Sequence, residues 1–249
     1  MSATQQILGI GFFDGTVAEA VDQALDRRGL IVAPSGTCFA RLTEDADYRT
    51  AMTGADLILP DSGFMVLLWR VLCGRHIARI SGLTYLRELL RHPELQRNGA
   101  VLWVLPNEDA REKTMHWLQR HGFAPTPDDF CVATIYGFQV EDPALIERIG
   151  MRQPHQVIIA LSGGVQEKLG FYLRENAGYR PAFHCIGAAL GFITGYQIAI
   201  PGWADRLYLG WLMRLVSQPR KFLPRALNAA VLPGMIIRCG HQLPPMRKS

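Results

Sequence analysis

The stretch Ala55-Asp-Leu-Ile-Leu-Pro-Asp-Ser-Gly63 predicts the unit from which the fold is built. Residues 57–59 form a short apolar run typical of a buried strand, residues 60–63 form a turn, and residues 64–72 form a helix-like run. In an open parallel sheet, ligands bind beyond the carboxyl ends of the strands. Asp61 therefore lies where a general base would be placed, although Asp and Ser are also common capping residues at a helix N-terminus.

Apolar runs and helix-like segments alternate along the chain up to about residue 200. The predicted strands cover residues 7–13, 30–33, 57–59, 100–105, 130–136, 156–161 and 183–190. Most of these runs are continuously apolar, which indicates that both faces of the sheet are covered. The pattern predicts an α/β fold with a doubly wound, mostly parallel sheet and helices on both faces.

Local signals predict where two of the helices lie. Thr16, with Glu19 three residues later, forms a capping box, and the helix that follows is expected to end at Gly29. Residues 39–53 carry apolar positions at helical spacing and are predicted to form one helix.

The composition is that of a folded globular protein, with 49% hydrophobic and 19% charged residues and a net charge of +4. Five cysteines stand far apart without a C-x-x-C pair, so neither a zinc site nor a disulfide framework is indicated. Together with an N-terminus that lacks signal-peptide features, this predicts a cytoplasmic protein. Residues 181–204 carry no charge, but their glycines and Pro201 favour a buried strand and loop over a membrane-spanning helix.

The last part of the chain is basic and has no Asp or Glu after Asp205. The sequence therefore predicts an α/β domain in residues 1–200 and a C-terminal basic amphipathic helical appendage in residues 201–249. Residues 203–216 combine tryptophans, leucines and arginines, which fits a helix lying in an anionic membrane interface. A terminal helix docked on the domain's own core is an equally open alternative. Nucleic acid is not favoured as a partner, because apolar residues interleave the basic ones.

Two further turns follow predicted strands and carry groups that can bind a ligand. One follows residues 30–33, and the other joins residues 156–161 to a helix whose N-terminus favours an anion. Their candidate contact residues are Ser35, Gly164, Gln166 and Glu167. The alternative for the second turn is an ordinary tight turn with an acidic residue near the helix dipole.

Other catalytic chemistries find weaker support in the sequence. Ser162 could be a hydrolase nucleophile, but it does not stand in a G-x-S-x-G elbow and no His or Asp can be assigned to it. Asp45 and Asp47 have the spacing of a metal-binding pair but lie inside the predicted helix, and the histidines lack ligand spacing. A mechanism without metal or cofactor is therefore expected, with cationic side chains in place of the metal.

Several short motifs, in order from residue 7 to about residue 225, resemble the WecG/TagA/CpsF family of bacterial glycosyltransferases. Val32-Ala-Pro-Ser35, Pro60-Asp-Ser-Gly63, Arg79-Ile-Ser-Gly82 and Ser162-Gly-Gly-Val-Gln-Glu167 are similar to the family's first-strand turn, Pro-Asp-Gly, Arg-x-x-Gly and Gly-x-Pro-Lys-Gln-Glu. In the tail, Pro201-Gly-Trp203, Leu209-Gly-Trp-Leu-Met-Arg214 and Gln218-Pro-Arg220 are similar to the family's Arg-Ala-Pro-x-Trp, Gly-Leu-Glu-Trp-x-x-Arg and Glu-Pro-x-Arg. The chain departs from the family pattern at Ala33, Ser35, Gly164, Val165 and Ala199.

The resemblance implies an inverting transfer of a hexose or N-acetylhexosamine from a UDP-sugar to a polyprenyl-diphosphate-linked sugar. The acceptor lies at the cytoplasmic face of the cell membrane, so the protein is expected to be peripheral there. Asp61 aligns with the family's proposed base, and the basic appendage is expected to reach the lipid diphosphate. The residues expected to bind substrates are Ser35, Ser62, Gly63, Gly137, Gly164, Gln166, Glu167, Arg214, Arg220, Lys221 and Arg225.

Ser62 is expected to cap the following helix, which leaves Asp61 free for the acceptor. The sugar identities, the linkage and a homo-oligomer are left open by the sequence. The departures from the family pattern motivate a second hypothesis, a catalytically degenerate sugar-nucleotide-binding or scaffold subunit of a polysaccharide assembly complex.

Overall fold

The computed structural model describes residues 3–197 and 229–247 of the chain. The strands of that part are β1 (Ala3–Ile7), β2 (Ile10–Asp14), β3 (Gly29–Val32), β4 (Leu57–Ile58), β5 (Val101–Leu105), β6 (Phe130–Val132), β7 (Gln156–Ile159) and β8 (Ala182–Cys185). They form one sheet in the order β1-β2-β4-β3-β8-β7-β5-β6. Neighbours pair in parallel except β1 and β2, which are antiparallel.

Helices cover both faces of this sheet. They are α1 (Val17–Arg27), α2 (Ala46–Thr53), α3 (Gly63–Cys73), α4 (Gly82–Leu89), α5 (Glu108–Arg120), α6 (Pro143–Arg152), α7 (Val165–Asn176), α8 (Ala189–Thr194) and α9 (Leu232–Cys239). Side chains alternate along the central strands, so Leu30 and Val32 join one apolar cluster and Ile31 joins the other. Helices α2, α3, α6, α7 and α9 pack in the first cluster, and α1, α4, α5 and α8 in the second. The predicted doubly wound α/β fold is confirmed.

The first predicted strand is wrong, because residues 7–13 are interrupted by a tight turn. Leu8 (φ 53°) and Gly9 (φ 73°) both adopt left-handed backbone conformations, which suits a two-residue hairpin turn between β1 and β2. The turn is fixed from outside the hairpin, since the N–H of Leu8 donates to the Gly240 carbonyl (2.8 Å) and that of Gly9 to the His241 carbonyl (2.9 Å). The apolar pattern continues through the turn, because Leu8 is itself fully buried.

Other boundaries also differ from the sequence prediction, and the strand predicted over residues 130–136 ends at Val132. Residues 39–53 form not one helix but a 3₁₀ helix (Gly36–Thr43) followed by α2. Asp45 separates them, because its side chain caps α2 by accepting a hydrogen bond from the Tyr48 N–H (3.0 Å). The last strand ends at Cys185 rather than at residue 190, since Gly187 (φ 60°) turns the chain into α8. By contrast, the capping box of Thr16 and Glu19 is confirmed at the start of α1.

A buried polar network connects β7 and β8 to Tyr85 of α4. The Gln156 side chain donates from Nε2 to Glu94 Oε1 (2.9 Å), so its Oε1 is left to accept from His184 Nε2 (2.8 Å). His184 Nδ1 then accepts from the Tyr85 hydroxyl (3.0 Å). Burial lowers the pKa of His184 to about 3, so the imidazole is neutral and this single tautomer satisfies both of its partners, Gln156 and Tyr85.

Residues 229–247 return to the α/β domain. Leu232 and Ile236 of α9 are buried in the first apolar cluster, and the Arg247 N–H donates to the Thr43 carbonyl (2.8 Å). Residues 201–228 lie outside the described part, so the predicted appendage stays a prediction there. Among the described helices, none has the length and apolar character needed to cross a bilayer.

We predict that Gly9→Ala destabilises the protein more than Gly122→Ala. A β-carbon on Gly9 would lie 2.5–2.7 Å from Leu243 backbone and side-chain atoms, whereas one on Gly122 would meet nothing within 4 Å. Both glycines have positive φ, so each substitution costs about 1 kcal/mol of backbone strain. The clash adds about 1–3 kcal/mol at Gly9 alone. Denaturant unfolding measures the difference, and equal losses would contradict the packing of residues 229–247 on the hairpin.

Candidate active site

Four turns meet at the carboxyl edge of the sheet, because β4, β3, β8 and β7 are neighbours in it. Glycines allow these turns to approach one another closely. A β-carbon on Gly36 would lie 2.6 Å from Ser62 Oγ, and one on Gly163 would lie 2.6 Å from Cys38 Sγ. A β-carbon on Gly82 would lie 3.1 Å from the Ile186 carbonyl oxygen. The turns after β3, β4, β7 and β8 therefore form one continuous surface.

Asp61 lies half-buried in the turn between β4 and α3. Its Oδ1 accepts a hydrogen bond from the Gly82 N–H (2.9 Å), and its backbone carbonyl accepts one from Arg79 Nε (2.7 Å). Ser62 caps α3 by accepting from the Met65 N–H (3.1 Å), so that prediction is confirmed. The expectation that Asp61 is left free is wrong, because the start of α4 holds one of its carboxylate oxygens.

The turn after β3 carries Ser35 next to the turn after β7. Ser35 Oγ lies 3.0 Å from Thr37 Oγ1 and 3.3 Å from Cys38 Sγ, and 3.7 Å from the position of a β-carbon on Gly163. Burial raises the pKa of the Cys38 thiol to about 11, so the thiol is protonated at neutral pH and is a poor nucleophile. Ser35 remains half-buried at the rim of the surface, where its predicted contact with a substrate stays a prediction.

Gln166 and Glu167 point inward and are buried. Gln166 Oε1 accepts from the Gly187 N–H (2.7 Å), and its Nε2 donates to Glu167 Oε1 (3.1 Å). Glu167 Oε2 accepts from the Gly164 N–H (2.6 Å), and burial raises the pKa of this carboxyl group. The two side chains therefore shape and join the turns after β7 and β8. A direct contact of either residue with a substrate stays a prediction.

The N-terminus of α7 has few backbone donors left for a ligand. The N–H groups of Val165 and Gln166 donate to the Ser162 carbonyl (3.2 and 3.1 Å), and that of Gly164 donates to Glu167. The carboxyl group of Glu167 therefore lies at the helix N-terminus, where a bound anion is expected from the sequence. The Ser162 side chain is exposed, and no histidine or carboxylate of the described residues hydrogen-bonds to it, so a serine hydrolase gains no support.

The remaining predicted site residues are Gly63, Gly137 and the cations of the tail. Gly137 is exposed in the loop after the edge strand β6, and its neighbour Phe138 accepts a hydrogen bond from Lys168 Nζ (3.0 Å). Gly63 is the buried first residue of α3. Arg214, Arg220, Lys221 and Arg225, together with the departure at Ala199, lie outside the described residues. Within the described ranges, no cluster of three His, Cys, Asp or Glu side chains could hold a metal ion.

Three residues of the surface were not proposed as site residues from the sequence. Arg79 and Gly82 hydrogen-bond to Asp61. Their Arg-x-x-Gly spacing resembles a family motif, but no role is predicted for either residue from the sequence. Arg41 lies on the Gly164 turn, and nothing local marks it, because its contact comes from packing of the 3₁₀ helix against α7.

Two comparisons with known proteins bear on this surface. The family model described as glycosyl transferase WecG/TagA/CpsF family matches residues 5–246, which include all four turns. The N-acetylglucosaminyldiphosphoundecaprenol N-acetyl-beta-D-mannosaminyltransferase of Bacillus subtilis (strain 168) is 24% identical to the chain over 210 residues. That alignment covers 84% of this chain and 78% of the Bacillus subtilis protein.

We predict that Gln166→Leu lowers the free energy of unfolding by about 1–3 kcal/mol in the absence of any ligand. The substitution leaves the Gly187 N–H and one oxygen of the buried Glu167 without partners, and buried unpaired groups carry this cost. Gln119→Leu on the exposed side of α5 is the matched control and should change stability little. Denaturant unfolding measures the effect. An unchanged free energy of unfolding would contradict a structural role of Gln166 in the turn and would favour a direct contact with the substrate.

Proposed function

The chain belongs to the WecG/TagA/CpsF family of glycosyl transferases, and we propose that it is an inverting enzyme with a UDP-sugar donor. The transferred group is a hexose or N-acetylhexosamine, and the acceptor is a sugar linked to a polyprenyl diphosphate. The acceptor class follows the activity for which the Bacillus subtilis relative is named, which uses a sugar diphospho-undecaprenol. The product serves cell-surface or exopolysaccharide synthesis.

The position of Asp61 carries this proposal. A half-buried carboxylate at the carboxyl end of a central parallel strand lies where α/β folds bind ligands. The bond from Gly82 to its Oδ1 and the bond from Arg79 to its carbonyl fix the carboxylate in the turn. A fixed base within reach of the acceptor hydroxyl is what general-base catalysis requires.

The transfer proceeds in one displacement. The acceptor hydroxyl oxygen bonds to the anomeric carbon of the donor sugar, and the bond from that carbon to the diphosphate oxygen breaks. UDP leaves with the electron pair, while the Asp61 carboxylate takes the hydroxyl proton. The single displacement inverts the anomeric configuration and needs no covalent intermediate on the enzyme.

The donor binds against the turns after β3 and β7, with the half-buried Ser35 and the backbone around Gly164 in contact with it. Gln166 and Glu167 fix the second turn from beneath. Cations rather than a metal ion stabilise the diphosphate in this proposal. Those assigned from the sequence are Arg214, Arg220, Lys221 and Arg225. The only support for their role in binding the diphosphate is the sequence of the tail, which is basic and has no Asp or Glu after Asp205.

We also place the protein at the inner face of the cell membrane as a peripheral protein. Helix α3, which begins directly after Asp61, exposes Leu67, Val71 and Leu72 to solvent. Exposed Arg70 and Arg75 flank these apolar side chains. Apolar and cationic side chains on one exposed surface suit an anionic lipid interface.

We predict that Asp61→Asn lowers kcat/KM by about 10²–10⁴-fold, because the amide cannot take the acceptor proton. The fold should survive, since the asparagine Oδ1 can still accept from the Gly82 N–H. The assay mixes UDP-sugars with a polyprenyl-diphosphate-linked sugar and detects the product by mass spectrometry. Asp22→Asn, on an exposed position of α1, is the matched control and should retain full activity.

The same assay separates the proposed enzyme from its main rival. Near-normal turnover by the Asp61→Asn protein would remove Asp61 as the base. A wild-type protein that binds UDP but transfers no sugar from any donor would support the degenerate scaffold subunit instead, which the departures at Ala33, Ser35 and Val165 motivate.

We predict that Val71→Glu reduces binding to anionic phosphatidylglycerol vesicles by about tenfold or more. The side chain is 78% exposed, so the change should hardly affect stability, whereas it removes a lipid contact worth about 1.5 kcal/mol and adds repulsion. Vesicle co-sedimentation of the full chain measures the effect. Met151→Glu, 73% exposed on α6, serves as the control. Equal losses from both variants would remove α3 as the membrane-facing element.

A further inference from the structure

Arg41 lies directly on the backbone of the turn between β7 and α7. A β-carbon on Gly164 would stand 2.7 Å from Arg41 Nε, 2.8 Å from Cζ and 3.1 Å from Cδ. Gly164 also has φ +91°, so this position requires glycine on both counts. The turn after β7 and the guanidinium group therefore form one packed unit at the carboxyl edge of the sheet.

The guanidinium group is incompletely used by the protein. The Arg41 side chain is 47% exposed, and its nearest carboxylate oxygen, on Asp45, is 3.9 Å away, which is too far for a hydrogen bond. Asp45 has a closer cation in Lys168, whose Nζ lies 3.1 Å from its Oδ2. Within residues 3–197 and 229–247, the Arg41 guanidinium donates no hydrogen bond.

Arg41 also lies near the buried Glu167. Burial raises the pKa of this carboxyl group, while the positive charge of Arg41 acts in the opposite direction. However, the two oxygens of Glu167 already accept from Gly164 and Gln166. The effect of Arg41 on that pKa therefore comes from its positive charge and uses none of its five N–H donors.

Side chains are the main donors that this turn offers to a phosphate. The first N–H groups of α7, on Gly164, Val165 and Gln166, all donate to acceptors within the turn itself. Nearby side chains that can donate include those of Ser162 in the turn, Ser35 beside Gly163 and Arg41 beside Gly164, and Arg41 is the charged one of the three. Arg41 is also the exposed residue of its 3₁₀ helix, in which Cys38, Phe39, Ala40, Leu42 and Thr43 are buried.

We propose that Arg41 binds a phosphate oxygen of the donor's diphosphate and stabilises the charge that develops on UDP as it leaves. This rests on the proposed function, in which the donor is a UDP-sugar bound by the turns after β3 and β7. A guanidinium group is suited to the task, because its paired N–H groups match phosphate oxygens and its charge persists at any physiological pH. Arg41 is thus a substrate-binding residue of the described domain, separate from the cations of the tail.

The test compares ligands with and without phosphates on the full chain. Arg41→Gln should weaken UDP binding by about tenfold to a hundredfold, as expected for a lost charged hydrogen bond. Binding of uridine, which has no phosphate, should be unchanged, and Arg41→Lys should restore part of the UDP affinity. Arg91→Gln is the matched control. Arg91 is exposed, and it pairs with Glu88 (3.0 Å) near the C-terminal end of α4, away from the Gly82 end that contacts Asp61. Isothermal titration serves for UDP and ligand-observed NMR for uridine.

The possible outcomes separate this inference from the proposed function. If wild-type protein binds UDP and Arg41→Gln binds it equally well, the role of Arg41 is refuted and the proposed function stands. Equal losses for UDP and uridine, with a lower melting temperature, would show a structural role and overturn the inference. A raised KM for the lipid acceptor with unchanged UDP affinity would assign Arg41 to the acceptor's diphosphate instead. Wild-type protein that neither binds UDP nor transfers a sugar would remove the proposed function itself.

Discussion

The buried carboxylate of Glu167 is the group around which the candidate site is arranged. It accepts hydrogen bonds from Gly164 and Gln166, and Gln166 accepts one from Gly187. A carboxyl group enters the protein interior only when such bonds offset its desolvation. The turns after β7 and β8 therefore close around one side chain and are fixed relative to each other before any substrate binds. Fixed turns suit catalysis, which depends on placing reacting groups to within fractions of an ångström.

The buried Glu167 carboxyl group at the start of α7 also determines which groups of the surface can bind a phosphate. The Gly164 N–H donates to Glu167, and those of Val165 and Gln166 donate to the Ser162 carbonyl, so these groups are not open to a phosphate and cationic side chains are better placed to bind it. Arg41 and Lys168 lie on this side of the domain, and Lys168 is held by Asp45 and the Phe138 carbonyl. Of these two cations, Arg41 is the one with the more exposed side chain, 47% against 8% for Lys168.

Close backbone approach is the second constraint on the site. Gly36, Gly82 and Gly163 each sit where a β-carbon would meet another turn within about 3 Å. The approach of Gly82 brings its N–H to Asp61, while Arg79 of the same segment reaches the Asp61 carbonyl. The candidate base is thus positioned by the start of α4, although it belongs to the turn before α3. The same packing explains why Asp61 is half-buried rather than fully exposed.

Local and periodic signals in the sequence were enough to predict the parallel sheet, the helices on both faces, and the caps at Thr16 and Ser62, since each depends on residues a few positions apart. The same signals failed at Leu8-Gly9, where an apolar turn looks like a continuing strand, and at Asp45, where a cap interrupts a helical pattern. Only the tertiary structure decided that Gln166 and Glu167 face inward, that Gly82 holds Asp61, and that Arg41 covers Gly164. These contacts join segments far apart in the chain, so no local pattern encodes them, and they arise only when the sheet brings its turns together.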